Sequence, residues 1–307
     1  MVGTAPIVLF VHDRPAQTRL ALDALADNPL AAQSDLYLFA DGPRGPKNLP
    51  AVRAVRALLH RERRFRHVVI SEQERYRGPS QLVIAGLDEL FPSFESLIVL
   101  QDDLVAAPRF LEFMNDGLRR YAKDARVGAV LGFDFGSGNG SAEPFFSRFF
   151  APWGWATWRR AWAEFEPDPG PLLRRLENPA LRRRFNLDGS CNFYRQLQGP
   201  DPGQAGSWHA RWYASQFLRG HLALYPGTPL AQSLGLVLGG LRPAAPAQGP
   251  RAPFELQELA VTEDPAGTAR IVRFFTQGHS SVQAPAEPPG FGAGLGRAWQ
   301  RCRALFQ

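Results

Sequence analysis

Leu97-Ile98-Val99-Leu100-Gln101-Asp102-Asp103-Leu104-Val105 joins a run of four aliphatic residues to two adjacent carboxylates. Four aliphatic residues in a row predict a strand buried on both faces, the pattern of an interior parallel strand. A polar pair at the carboxyl end of such a strand falls where open α/β sheets bind ligands, in the crevice beyond the strand ends. Two neighbouring Asp there repel each other and raise a pKa unless a cation or hydrogen-bond donors offset the charge. One reading is a divalent ion held against a phosphorylated substrate, because Mg²⁺-type ions take one or two protein carboxylates plus substrate phosphates. The other is a solvated Asp-Asp turn capping the helix that begins near Pro108.

Working outward, residues 6–131 alternate between short β-rich runs and helical patterns. The strands read as Ile7–His12, Leu36–Ala40, His67–Ser71, Leu97–Leu100 and Val127–Leu131. Helices are predicted at 15–27, 50–60, 79–91 and 108–122. In the last of these Pro108 suits the first turn, and Phe110, Leu111, Met114, Leu118 and Tyr121 recur at helical spacing. Such alternation builds βαβ units, so the fold class is α/β with a largely parallel sheet.

Three of these strands end in polar residues, and a parallel sheet opens all three ends onto one edge. The first ends in His12-Asp13-Arg14-Pro15, the second in Asp41-Gly42-Pro43, the fourth in Asp102-Asp103. Arg and Asp beside an acidic pair suit a nucleotide, with Arg on phosphate or base and Asp on a base N–H or ribose hydroxyl. Taken singly, Asp41-Gly42-Pro43 is an ordinary turn; the coincidence of three strand ends lifts it. Neither a P-loop nor a G-x-G-x-x-G motif follows the first strand, which argues against ordinary NTPases and dinucleotide enzymes.

The 307 residues suffice for one large α/β domain or two small ones. Hydrophobic residues make up 45% and charged residues 21%, ordinary values for a globular chain with a substantial core. Of the cations behind the net charge of +6, only Lys47 and Lys123 are not Arg. Arg suits bidentate phosphate recognition, but a chain this rich in Ala, Arg, Gly and Pro explains the bias without it. A basic patch interleaved with aromatics is missing from the sequence, so nucleic acid is not the expected partner. Cys191 and Cys302 form no metal or redox spacing, which fits a reducing, cytoplasmic setting. The first apolar run, Ile7 to Val11, is too short for a signal peptide, and the longest, Leu234 to Leu241, holds three glycines and falls short of a membrane span.

From 134 to 148 the chain turns Gly- and Ser-rich, reading as a mobile loop, and leads to Phe149-Phe150-Ala151-Pro152-Trp153-Gly154-Trp155-Ala156-Thr157-Trp158. Trp155, Trp158 and Trp162 fall at three- and four-residue spacing, which predicts one buried helix face. Trp153 and Gly154 precede that helix and are candidate site residues: glycine permits close backbone approach, and an exposed indole packs on a sugar ring. Residues 168–206 read as a Pro- and Arg-rich solvated face. Ser207-Trp208-His209-Ala210-Arg211-Trp212-Tyr213 reads as a helix start with Ser207 as N-cap, placing His209, a titratable proton acceptor, in the first turn. A Pro/Ala linker (Pro243 to Pro253) follows. Residues 284–307 read as a Pro/Gly-rich linker and a short amphipathic tail around Trp299 and Leu305, either a frayed surface helix or a weak peripheral membrane contact.

Assembled, these motifs resemble the nucleotide-sugar-dependent glycosyltransferases of GT-A fold. The sequence is most similar to bacterial family-2-like sugar transferases and their relative, the eukaryotic N-acetylglucosaminyltransferase I group. The resemblance covers roughly residues 5–240, with five pieces in the family's order. They are Ile7 to Pro15, Leu36 to Gly42, Leu97 to Pro108, the Trp-Gly-Trp-Ala-Thr-Trp run, and Ser207-Trp208 through Arg211-Trp212-Tyr213. It implies a single domain over 1–283 with a mostly parallel central sheet flanked by helices.

The resemblance further implies that Arg14 and Asp41 contact the nucleotide, Asp41 at the base. The triplet Gln101-Asp102-Asp103 would bridge ribose, diphosphate and metal, with Asp103 as the direct ligand of Mn²⁺ or Mg²⁺. The implied reaction is inverting transfer from a nucleotide-sugar, UDP-sugar favoured, to a hydroxyl of a glycan or lipid-linked glycan in cell-surface polysaccharide synthesis. Three departures from the family pattern stand out. Gln101 stands where a Glu is usual, and Gly206 and His209 stand where a carboxylate is expected, leaving His209 as the catalytic base. Ser233-Leu234-Gly235-Leu236 lacks the Gly-x-x-His ending. These departures frame a second expectation, a catalytically weak relative that binds nucleotide or glycan as a partner subunit. A nucleotidyltransferase on a similar sheet is a third, opposed by the missing N-terminal phosphate loop.

Overall fold

The computed structural model of the chain describes residues 3–135, 143–199, 207–234 and 256–277. Its first half follows the alternation in the sequence: β1 (Ile7–Val11), α1 (Pro15–Ala26), β2 (Asp35–Ala40), α2 (Leu49–Leu59), β3 (His67–Glu72), α3 (Pro79–Leu90) and β4 (Ser96–Gln101). Proline in the first turn of α1, α2 and α3 sets each helix off from the loop before it, because its fixed φ suits that turn and its missing N–H costs nothing there. Then come β5 (Leu104–Ala106), α4 (Phe110–Arg120), β6 (Val127–Leu131), β7 (Phe145–Ser147), β8 (Trp155–Trp158) and α5 (Arg159–Trp162). The chain continues through α6 (Pro169–Arg175), α7 (Pro179–Phe185), α8 (Phe193–Gln198), α9 (Trp208–Leu218), β9 (Leu222–Tyr225), β10 (Ala231–Ser233) and α10 (Pro265–Gln277).

Eight strands form the main sheet in the order β3-β2-β1-β4-β8-β6-β9-β7. Strands β1 to β4, β6 and β9 run parallel; β8 and β7 are reversed. This is the α/β fold with a mostly parallel central sheet flanked by helices that the sequence predicts. A separate two-stranded ribbon pairs β10 antiparallel to β5. Leu97, Ile98, Val99 and Leu100 are all buried at the centre, each gaining roughly 1.5–3 kcal/mol from leaving water. The buried apolar residues form one contiguous cluster from Ala5 to Phe275.

Three local expectations are corrected. Trp155 and Trp158 lie on β8, inserted antiparallel between β4 and β6, and α5 begins only at Arg159. Residues three apart on a strand point to opposite faces, so the two indoles part company. Trp155 packs against Trp162, Trp208 and Trp212, whereas the Trp158 Nε1–H donates to the Leu118 carbonyl. Residues 168–198 are three short helices rather than an unpatterned face. The Asp168, Asn178 and Asn192 side chains accept N-cap hydrogen bonds, while Arg174, Arg175, Arg183 and Arg184 stay exposed as expected. Ser207 occupies the N-cap position of α9, but its side chain makes no capping bond; the Ser80 hydroxyl accepts from the Trp208 N–H instead.

No helix among the described residues is long and apolar enough to cross a membrane. The Gly/Ser run 136–142, Gly206, Gly235, Leu236, the Pro/Ala linker, the tail 284–307 and Cys302 lie outside the described residues.

Candidate active site

The parallel pairing Phe10↔Gln101 carries the ends of β1 and β4 past each other, so the chain just beyond β1 meets the turn just beyond β4. The Asp102 N–H donates to the Phe10 carbonyl at 3.0 Å, and the His12 N–H donates back to Asp102 Oδ2 at 3.2 Å. Asp102 and Asp103 therefore sit in the turn between β4 and β5. Helix α4 starts at Phe110 with Arg109 at its N-cap, so the reading of the pair as a helix cap is corrected.

Arg14 Nη1 lies 3.7 Å from Asp102 Oδ1, with about half of the Arg14 side chain exposed. Asp103 is held from the other side. The Ser233 hydroxyl donates to Asp103 Oδ2 at 3.2 Å, and the Leu234 N–H donates to the Asp103 carbonyl at 2.8 Å. Strand β10 thus fixes one carboxylate and the turn after β1 the other. Burial pushes Asp102 up to about 7, the adjacent Asp103 adding to the rise and Arg14 and the His12 N–H opposing it. Asp103 is raised for the same first reason, against Arg14 and Ser233. Asp13, one residue before Arg14, moves the other way. Its burial is outweighed by the Asn48 hydrogen bond and by His12, Arg44 and Arg14.

A cleft of about 190 Å³ opens over these groups. Arg14, Asp41, Gln101, Asp102, Asp103, Trp153 and His209 all line it, so the structure brings together all but one of the residues singled out from the sequence. The exception is Gly154. It adopts φ +69°, its carbonyl accepts from the Gly132 N–H at 2.7 Å, and a Cβ there would lie 3.0 Å from Ala231 Cβ. Gly154 therefore serves the close packing of β8 on β10 behind the cleft wall. Trp153 is 4% exposed, with the Phe133 and Phe135 rings 4.7 and 6.0 Å from its indole, which corrects the expectation of an exposed platform.

His209 is 1% exposed. Its Nε2–H donates to the Phe150 carbonyl, which leaves Nδ1 as the ring's acceptor. Burial pushes its pKa down to about 4, partly opposed by that hydrogen bond, so the imidazole is neutral near pH 7 and weakly basic.

Asp41 is buried at the end of β2 and makes three hydrogen bonds. Oδ1 accepts from the Gly42 and Arg77 N–H groups, both at 2.8 Å, and Oδ2 from the Gly78 N–H at 2.9 Å. A Cβ on Gly42 would lie 2.2 Å from the Arg75 carbonyl carbon. Gly42→Ala should therefore push the 75–78 segment away and cost about 1–3 kcal/mol of stability, read as a lower urea midpoint. An unchanged midpoint would show that the two segments do not meet this closely.

Sequence reasoning missed Tyr76 and Arg44, which line the same cleft. The signal was available in Glu74-Arg75-Tyr76-Arg77-Gly78-Pro79, where a Gly-Pro helix start follows the third strand and marks a fourth tip on the same edge.

No protein-family model and no curated protein matches the chain. Among solved structures it is similar to TarS of S. aureus at 12% identity and TM-score 0.36, covering 53% of this chain and 30% of that one. It is also similar to the apo form of mouse xyloside xylosyltransferase 1, at 12% identity and TM-score 0.39, covering 70% of this chain and 82% of that one. The chain thus spans under a third of TarS. With TM-scores this low, neither likeness identifies the site or its substrate.

The donor set suits a hard divalent cation. The pair offers carboxylate oxygens in a cleft whose burial disfavours their charge, and Arg14 is the one cation within 4 Å of either among the described residues. No group of three His, Cys, Asp or Glu capable of holding a metal occurs among the described residues. A bound ion would therefore complete its shell with substrate phosphates and water, the manner of Mg²⁺ rather than of a structural zinc site.

Proposed function

We propose that the chain is a glycosyltransferase of GT-A type, moving a sugar from a nucleoside-diphosphate donor to an acceptor hydroxyl with inversion. One observation carries the reading: the Asp102–Asp103 pair and Arg14 meet at the β1 and β4 ends, in the cleft that Asp41 also lines. Arg14 and Gln101 would hold the diphosphate and ribose, with Asp41 at the nucleoside end. Asp103, partly open to the cleft, would hold Mn²⁺ or Mg²⁺. When bound, that ion supplies Lewis-acid neutralisation of the charge on the departing diphosphate.

The chain's own residues account for the remaining steps. Arg14 places positive charge beside the leaving group, where it stabilises charge that develops as the sugar carbon becomes oxocarbenium-like. Trp153 and Trp208 are buried against neighbouring aromatics and form an apolar part of the cleft wall. His209 is the proposed proton acceptor for the attacking hydroxyl. Acceptors are glycans or lipid-linked glycans in cell-surface polysaccharide synthesis, met in the cytoplasm or at the inner membrane face.

Burial of His209 also favours a second reading, a weakly active relative that binds nucleotide or glycan as a partner subunit, because a base of pKa about 4 draws a proton poorly. Screening nucleotide-sugars by thermal shift with and without Mn²⁺ tests the donor pocket, since a ligand that binds only the folded chain raises its melting point. Donor hydrolysis or transfer by the stabilising nucleotide-sugar should then fall by roughly a hundredfold in His209→Ala, the scale of general-base catalysis. Binding without any turnover selects the partner-subunit reading, and no stabilisation by any nucleotide-sugar removes the transferase reading and, of the second, its nucleotide-binding form.

A further inference from the structure

The Asp41 carboxylate points at the protein's own backbone. Of the four lone-pair sites of a carboxylate, three accept the Gly42, Arg77 and Gly78 N–H groups. These bonds stitch the end of β2 to the segment between β3 and α3. The Gln73 N–H adds to the seam by donating to the Ala40 carbonyl at 2.9 Å, and the absence of a side chain on Gly42 lets Arg75 settle against it.

The stitched segment presents Tyr76. It is the one aromatic among the exposed large hydrophobic residues of the described chain, at 37% exposure, although it lines the cleft. Its ring centroid lies 4.7 Å from the Arg44 guanidinium carbon and 5.0 Å from the His12 ring. Gly78, at φ +79°, turns the chain immediately afterwards into α3. An exposed ring braced by a guanidinium beside a cleft is a surface on which a flat heterocycle packs.

We infer that Asp41 is a positioning residue, holding the 75–78 segment so that Tyr76 makes the contact with the donor's nucleobase. This rests on the nucleotide-sugar reading of the cleft and departs from the direct base contact that the sequence resemblance implies for Asp41. The base is recognised by its face and not by an N–H donated to a carboxylate. Tyr76 then supplies the contact to the base, and Asp41 acts on binding through Tyr76.

Calorimetry on the unaltered chain with Mn²⁺ decides this, using uridine diphosphate and its N3-methyluridine counterpart, which lacks the ring N–H. The two should bind within about threefold of each other, whereas loss of a hydrogen bond to a buried carboxylate would weaken the methylated ligand by at least about tenfold. Tyr76→Ala should weaken uridine diphosphate by about tenfold or more, and Tyr76→Trp should restore it, because stacking tolerates any ring. Asp41→Asn should weaken it too, with little further loss in the Asp41→Asn/Tyr76→Ala double variant, because both changes remove one contact. Discrimination against the N3-methyl ligand, or additive losses in the double variant, overturns the inference while leaving the donor pocket intact. Failure of the unaltered chain to bind any nucleoside diphosphate overturns both together. Should Asp41→Asn fail to fold, the methylated ligand on the unaltered chain decides between the two modes of base recognition by itself.

Discussion

Asp103→Ala is expected to weaken binding of uridine diphosphate by at least about tenfold in Mn²⁺ and to leave binding in EDTA unchanged. Both carboxylates line the cleft, and Asp103 is the less buried of the two. Its Oδ2 accepts a hydrogen bond from the Ser233 hydroxyl, which fixes the carboxylate. If Asp103 holds the proposed cation, that cation would lose its protein anchor when this side chain is cut back. Asp103→Asn is the companion variant, keeping shape and the Ser233 contact while lowering the charge. Calorimetry in the two buffers reads the result. An equal loss with and without metal would mean that Asp103 acts by packing or charge alone, and the metal role would fall.

Asp102→Asn is expected to stabilise the metal-free chain, most strongly above pH 7. Asp102 titrates near 4 when unfolded and at about 7 when folded, so between those values the folded chain holds the extra proton. Stability then falls as pH rises through this window, by an amount on the order of 4 kcal/mol, and levels off above it. Asparagine removes the buried charge, so the gap between variant and parent opens from pH 4 and is complete above pH 7. His209 works in the opposite sense. Its folded pKa of about 4 lies below the unfolded 6.5, so its contribution is full above 6.5 and is lost as pH falls towards 4. The two slopes partly cancel in the parent between pH 4 and 6.5, and only the difference between variant and parent isolates Asp102. Urea midpoints in EDTA at pH 5 and pH 8 measure it. A variant less stable than the parent at pH 8 would show that Arg14 and the His12 N–H already offset the charge. Stabilisation coupled to weaker nucleotide binding would mark the acidic pair as a site maintained at the expense of the fold.

Each misread element has its own physical cause. Trp155 and Trp158 carry helical spacing, yet four residues are too few for a period to outweigh a ladder offered by two neighbouring strands, and β8 fills the gap between β4 and β6. Burial on both faces removed the polar alternation that would have announced a strand. Helices α6 and α7 were legible from Asp168-Pro169 and Asn178-Pro179, each an N-cap followed by proline at the first helical position. There the run of Arg speaks for charge and masks the capping signal. The indole of Trp153 was expected in solvent because nothing local to it names Phe133 and Phe135 as its cover.

What the sequence by itself determined is the α/β order, the strand tips that bear charge, and the presence of Arg14, Asp41, Asp102 and Asp103 at them. Apolar runs of fixed length punctuated by Pro, Gly and Asp are local signals, and the right-handed βαβ rule then places the strand ends on one edge. Tertiary structure alone decided how each carboxylate is used. Asp41 turns inward to three backbone N–H groups, Asp102 is buried beside Arg14, Asp103 leans on Ser233 from the last described strand, and His209 is sealed beneath the Phe150 carbonyl. The Arg77, Phe150 and Ser233 partners lie 36, 59 and 130 residues away along the chain, and hydrogen bonds and desolvation depend on distance in space, which no local pattern encodes.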